Sequence, residues 1–369
     1  MKYIIILLLC GFPLSPLIFK NIDLWHSQGL WCQSLILFSF CYYFFKNKRN
    51  IPLGALVLWV GLITIFSSYK WLLIDKYSFN HFLPFFNFIC AVVFYKCVIS
   101  LSHKDLHDIF KYLSYAYLVT IIYCTLQSFG LGQFFKTIDS PYIKDADPIV
   151  GFLGNPTIIA GYLGMCAPLL LFLRKRLMFL SLILVVSLMF KISIPPPATG
   201  ILAIMVTMGY VLFRFNKKVL YSLLTIAILC TLLIPKLIPK NFAYDNDRIS
   251  HWKKYYEIGK DKFITGNGLG SVNIISNQID KTIIPFRYLH NEFIHFNFEI
   301  GFIGLLIIAW GILDALMRKS DLVPKALFLG FLVNCLTLFP AHLWVMSTLG
   351  MFCYAAIYTK EKKCKLCQK

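Results

Sequence analysis

Charge is what this sequence has least of. Only 14% of its 369 residues are Asp, Glu, Lys or Arg, where soluble domains carry about 25%. Acidic residues are the scarcer sign, 17 against 36 Lys and Arg, for a formal net charge of +19. With 58% hydrophobic residues and a mean hydropathy of +0.70, a soluble globular chain is excluded. The apolar runs lack the strict alternation of a transmembrane β-barrel, which excludes that class as well. Basic residues come in short clusters between apolar runs, so they point to cytoplasmic loops and anionic lipid rather than to nucleic acid. No small-residue cleavage site follows residues 1–19, so this stretch reads as a first transmembrane helix and not a removable leader. No internal repeat, low-complexity tract or soluble domain interrupts the pattern, and residues 1–369 read as a single membrane domain.

The fold expected is an all-α polytopic membrane protein with about twelve transmembrane helices. The spans fall near 3–19, 30–45, 52–69, 82–100, 109–129, 156–173, 177–192, 198–213, 219–235, 299–317, 325–339 and 342–358. Lys46, Lys48 and Arg49, then Arg174 to Arg176, then Arg214, Lys217 and Lys218, then Arg318, Lys319 and Lys325, all follow even-numbered spans. So does the tail KEKKCKLCQK. Under the positive-inside rule both termini are then cytoplasmic. The twelve Cys are scattered through apolar runs as reduced, packed thiols, and Cys364 and Cys367 form a lone C-x-x-C pair without the second pair a zinc site needs.

One long polar stretch remains, about 236–298, between spans nine and ten and therefore extracytoplasmic. Between Lys236 and Arg287 it holds nine Lys or Arg and five Asp or Glu. A basic surface on the outer face fits an anionic ligand, or equally a headgroup layer. Asp245 or Asp247 is placed to cap a helix over about 248–260, with Arg248, Trp252 and Tyr255 on one face and Lys253 and Lys254 beside them. A guanidinium flanked by aromatics suits a phosphate or diphosphate; the same pattern describes an interfacial helix with snorkelling cations. Gly266 to Gly270 (GNGLG) lacks the strand and helix of a dinucleotide fingerprint, leaving a connector or a close backbone approach.

His290, Asn291 and Glu292 stand at the mouth of span ten, with His295 and Glu299 one and two turns on. An ionisable cluster at a membrane entrance is a site candidate, and a histidine there can act as a base on a sugar hydroxyl. Glu292 and His295 share a helical face, but no second histidine stands at helical spacing, so no metal is expected. The third reading is a polar lining of the headgroup zone. Asp314, Asn334 and His342, in or beside spans, are expected to be satisfied by neighbouring helices.

Three segments carry a resemblance: GFLGNPTIIAGYLGMCAPLLL (151–171), DNDRISHWKKYYEIGKDKFITGNGLGSV (245–272) and LHNEFIHFNFEIGFIGLL (289–306). In order and spacing they resemble the O-antigen ligase and polymerase superfamily: Arg248 before Trp252, then Gly266, Gly268 and Gly270, then His290 and Asn291, then Glu299, Gly301 and Gly304. The resemblance implies a membrane glycosyltransferase, inverting and independent of metal and cofactor, in the bacterial inner membrane. Its donor would be a glycan on undecaprenyl diphosphate and its acceptor lipid A–core for a ligase, or a growing glycan for a polymerase. Arg248 would hold the diphosphate and His290 would orient or deprotonate the acceptor hydroxyl, with Lys191, Trp252, Lys253, Lys254, Arg287 and Asn291 in the substrate-binding set. The family commonly has a Ser-Arg pair between spans seven and eight; here that stretch is KISIPPPATG, with Lys191 as the only cation. Lys191 would supply the charge there as a point charge rather than a fork, or the grip on the donor would pass to Lys253, Lys254 or Arg287. A lipid-linked oligosaccharide transporter or flippase would instead call for midplane charges or helices broken in paired halves, which the sequence lacks.

Overall fold

The computed structural model describes residues 1–14, 24–46, 82–131, 149–192, 198–215, 243–272, 275, 289–338 and 340–359. Every regular element among them is helical. In chain order these are α1 Lys2–Cys10, α2 Leu24–Lys46, α3 Phe82–Ile99, α4 His103–Gln127, α5 Pro156–Cys166, α6 Lys175–Ile192, α7 Ala198–Phe215, α8 Ala243–Gly259, α9 Glu292–Met317, α10 Leu322–Thr337 and α11 Trp344–Ile357. The expected spans 52–69 and 219–235 lie outside the described residues.

Local chemistry sets several boundaries. Ser102 and Asp105 close a capping box, so α4 begins more than a turn ahead of the expected span. Asn155 caps α5, its Oδ1 accepting from the Thr157 and Ile158 amides at 2.9 and 3.2 Å, and Pro156 takes the first position, where no amide is needed. The first helix corrects the expected 3–19 span: α1 stops at Cys10, because Pro13 cannot continue the amide ladder. Pro168 acts likewise at the end of α5, where the chain tightens into a 3-10 turn over Ala167–Phe172. The Gly164 carbonyl that Pro168 cannot serve accepts the Thr207 hydroxyl of α7 at 3.2 Å.

α5, α7 and α10 pack through small residues, as apolar helices do when little but close contact drives them together. A Cβ on Gly164 would lie 2.4 Å from the Gly200 carbonyl oxygen, and one on Gly330 2.6 Å from the Thr207 methyl. Asn334 on α10 is satisfied on one side only: its Nδ2 donates to the Gly161 and Gly330 carbonyls at 3.2 and 2.9 Å, while its buried Oδ1 accepts no hydrogen bond. Asp314 is likewise engaged, by Arg318 and by the Tyr358 hydroxyl.

One hydrophobic core threads α1 through α6 and α9 through α11, around Tyr117, Phe94, Phe352 and Ile109. A second, smaller cluster of Tyr255, Val272, Leu289 and Phe298 lies between α8 and the head of α9. Among the described residues, two helices, α4 and α9, are long and apolar enough to cross a membrane. α9 is not a core helix, since only 11% of its most apolar stretch is buried. Phe302, Ile303, Leu306, Ile307, Trp310, Leu313 and Met317 all face outward. The 17 residues from Gly301 to Met317 rise about 25 Å.

Candidate active site at the head of α9

α9 is interrupted. Gly301 sits at φ 71°, ψ 178°, a conformation that only glycine adopts without strain. In an unbroken helix the Phe302 and Ile303 amides would bond the Phe298 and Glu299 carbonyls. Instead they donate to Phe263 and Ile264 at 2.9 and 3.3 Å, while the freed carbonyls accept from Asn267 and Gly268 at 3.0 and 2.8 Å. The Asn267 side-chain amide adds a second bond to the Phe298 carbonyl, also at 3.0 Å. The glycine turn therefore fills the gap in the helix with its own backbone. Gly266 and Gly301 touch so closely that a Cβ on either would lie 2.5 Å from the other's amide nitrogen. This is why Gly-x-Gly in the polar stretch and Glu-x-Gly at the start of the span occur together: each supplies the space the other requires.

Glu299 fastens the same turn from its side chain. Its Oε1 accepts the Gly270 amide at 3.0 Å and lies 3.2 Å from His295 Nε2. Ahead of it, Asn291 caps α9 through the Phe293 and Ile294 amides at 3.0 and 3.1 Å and donates to the Leu336 carbonyl of α10 at 3.1 Å. Such a cap contributes about 1 kcal/mol. Both ends of the Asn291 amide are thus engaged within the protein. His290, immediately before the cap, has φ 52°, a left-handed turn that histidine tolerates better than most residues. Backbone strain held at this position is the kind found at ligand-binding turns.

α8 starts at Ala243, earlier than the sequence predicts, so Asp245 and Asp247 fall in its first turns rather than at its cap. Trp252 joins it to the histidine turn, its indole N–H donating to the Leu289 carbonyl at 2.6 Å. The Tyr255 ring packs edge-on to Phe298 at 5.2 Å. Arg248 lies on α8 one turn, about 6 Å, before Trp252 on the same helical face; its side chain is outside the described residues. Lys253 and Trp252 border an open, mostly apolar groove of about 520 Å³ between α8 and α9, with Tyr256, Phe293 and Phe302. Lys254 is exposed on α8. Lys260 is held above its ordinary pKa by the hydrogen bond to Glu257, a pairing that commits this cation locally. Lys191 stands at the end of α6, exposed, its ammonium 4.6 Å from the centre of the Phe129 ring. Arg287 lies outside the described residues. The structure thus brings Trp252, His290 and Asn291 together with the backbone position of Arg248, and leaves Lys191 with Phe129.

Sequence reasoning did not connect His342 to this place. Its Nδ1 lies 3.0 Å from Glu292 Oε2, and its ring centre is 4.1 Å from that of His295. Glu292 Oε1 also accepts the Ala341 amide at 2.6 Å, so the α10–α11 turn is tied to the head of α9. Fifty residues separate Glu292 from His342, and no periodicity reaches across that distance. Comparison with protein-family models finds no match to the chain, and comparison with curated proteins finds none either.

Proposed function

We propose that this is a polytopic membrane glycosyltransferase of the O-antigen ligase type, which moves a glycan from undecaprenyl diphosphate to lipid A–core at the outer face of a bacterial inner membrane. The membrane reading is supported by the bare apolar stem of α9, whose outward side chains would be costly in water. With both termini in the cytoplasm, α8 and the head of α9 lie on the far side, where the lipid-linked donor is presented.

The observation that carries the reading is the Trp252–Leu289 hydrogen bond, which holds the helix bearing Arg248 against the His290 turn. A cation for a leaving diphosphate and a base for an incoming hydroxyl are what this transfer requires. His290 takes the proton of the acceptor hydroxyl, whose oxygen forms the new bond to the anomeric carbon. The bond from that carbon to the diphosphate breaks on the opposite face, and Arg248 stabilises the charge left on the lipid. Lys253 and Lys254 add positive potential beside the donor, and Trp252 and Asn291 hold the two halves of the site in place. The break in α9 is packed by backbone from the glycine turn, which fits an anchored enzyme better than a moving transport helix.

Deleting the gene and resolving the lipopolysaccharide on a gel tests this. A ligase leaves core without polysaccharide while long chains accumulate on the lipid carrier. Core carrying a single repeat unit identifies a polymerase, which would use the same groups on a growing chain. Unchanged lipopolysaccharide contradicts both.

A further inference from the structure

The strongest unassigned feature is the trio Glu292, His295 and His342. Their ligating atoms all lie within 4.8 Å of one another, and Glu292 and His295 are each about 1% exposed while the His342 side chain is 22% exposed. Two imidazoles and one carboxylate, converging from one helix and one distant turn, make the nitrogen–oxygen set that borderline divalent ions favour. A metal-ligating histidine usually gives its other ring nitrogen to a carboxylate, and Glu299 stands 3.2 Å from His295 Nε2, itself fixed by the Gly270 amide.

We propose that Glu292, His295 and His342 form a binding site for a divalent transition ion of the zinc class, clamping the head of α9 to the α10–α11 turn with Glu299 as its outer partner. Glu292 follows His290 by two residues, with the Asn291 cap between them in the chain, and the site stands whether or not the chain transfers glycans. An ion held here is a brace, so the transfer chemistry proposed above passes through none of its ligands.

Cobalt is the probe. The full chain, purified in detergent with Cys364→Ser and Cys367→Ser to remove the tail thiols, is stripped with chelator and titrated with Co2+. The expected result is one equivalent bound, with visible absorption bands of a four- or five-coordinate nitrogen–oxygen site, displaced by Zn2+ and not by Mg2+. Glu292→Gln and His342→Asn abolish the bands. Glu299→Gln, which spares the three ligands, weakens Co2+ binding about 10- to 100-fold. His103→Ala, which removes the exposed partner of Asp321, leaves binding unchanged. A helical, monodisperse parent protein that binds no stoichiometric Co2+ overturns the proposal, as do full-strength bands in folded His342→Asn. If a ligand variant loses its fold, Glu299→Gln decides: unaltered Co2+ affinity there also overturns it.

Discussion

Gly301→Ala is expected to detach the polar segment from α9 and destabilise the protein by at least about 3 kcal/mol. Two effects add. The backbone at φ 71°, ψ 178° lies in a region closed to residues with a Cβ. The new methyl would also lie 2.3 Å from the Ile264 carbonyl oxygen, which cannot retreat without breaking the bond it accepts from Ile303. Once the glycine turn lifts, the Gly270 amide leaves Glu299 and the pairing that orients His295 goes with it. Gly268→Ala is the matched control: its φ is also positive, at 95°, but open space surrounds its Cβ. It should cost only about 1–2 kcal/mol, the conformational part alone. Melting in detergent and protease cutting within 260–270 would record both. A Gly301→Ala protein that melts with Gly268→Ala, its residues 260–270 still protected, would show that the docked turn is not what holds α8 in place.

Arg248→Ala should lower glycan transfer about 100- to 1,000-fold, the usual consequence of removing a group that meets developing charge. Removing the base should cost about 100- to 10,000-fold. Arg248→Lys should recover part of the loss, since a point charge attracts the diphosphate but does not pair with two of its oxygens. At the base, His290→Asn is the sharper variant. Asparagine accepts the left-handed backbone that φ 52° imposes, so it separates lost chemistry from lost fold. The measurement is transfer from a defined lipid diphosphate donor by purified protein whose melting temperature is unchanged. Transfer at the parent rate by His290→Asn would remove this residue from the mechanism.

Much of the architecture was legible because its causes are local. The apolar runs set helix positions, from α3 over Phe82–Ile99 to α11 over Trp344–Ile357. Where a cause was local but overlooked, the boundary moved: Pro13 ends α1 early, and the Ser102–Asp105 box starts α4 early. The candidate site was legible as a set of residues and not as an arrangement. Gly301 looks like any glycine in an apolar helix until Gly266 is seen to press against it from 35 residues away in sequence. His342 looked like a polar residue at the edge of a span; its partner Glu292 comes from another helix. Asn291, expected to touch substrate, proves to be occupied as a helix cap and a tie to α10. For Gly301, for His342 and for the tie from Asn291 to α10 the missing information was a tertiary contact, which no window along the chain contains; the Asn291 cap itself is local.

The central claim is that the segment carrying Arg248, Trp252 and His290 faces the outside of the cell. It is tested most directly by a cysteine at Lys254, which is exposed on α8. The described native cysteines are buried, Cys10 partly so, and the parent protein labelled in parallel sets the background. A membrane-impermeant maleimide applied to intact cells with a permeabilised outer membrane should label Lys254→Cys at once, and the tail thiols Cys364 and Cys367 only after the inner membrane is broken. Labelling of Lys254→Cys only after that rupture would put the segment on the cytoplasmic side, across the bilayer from the proposed donor, and contradict the account.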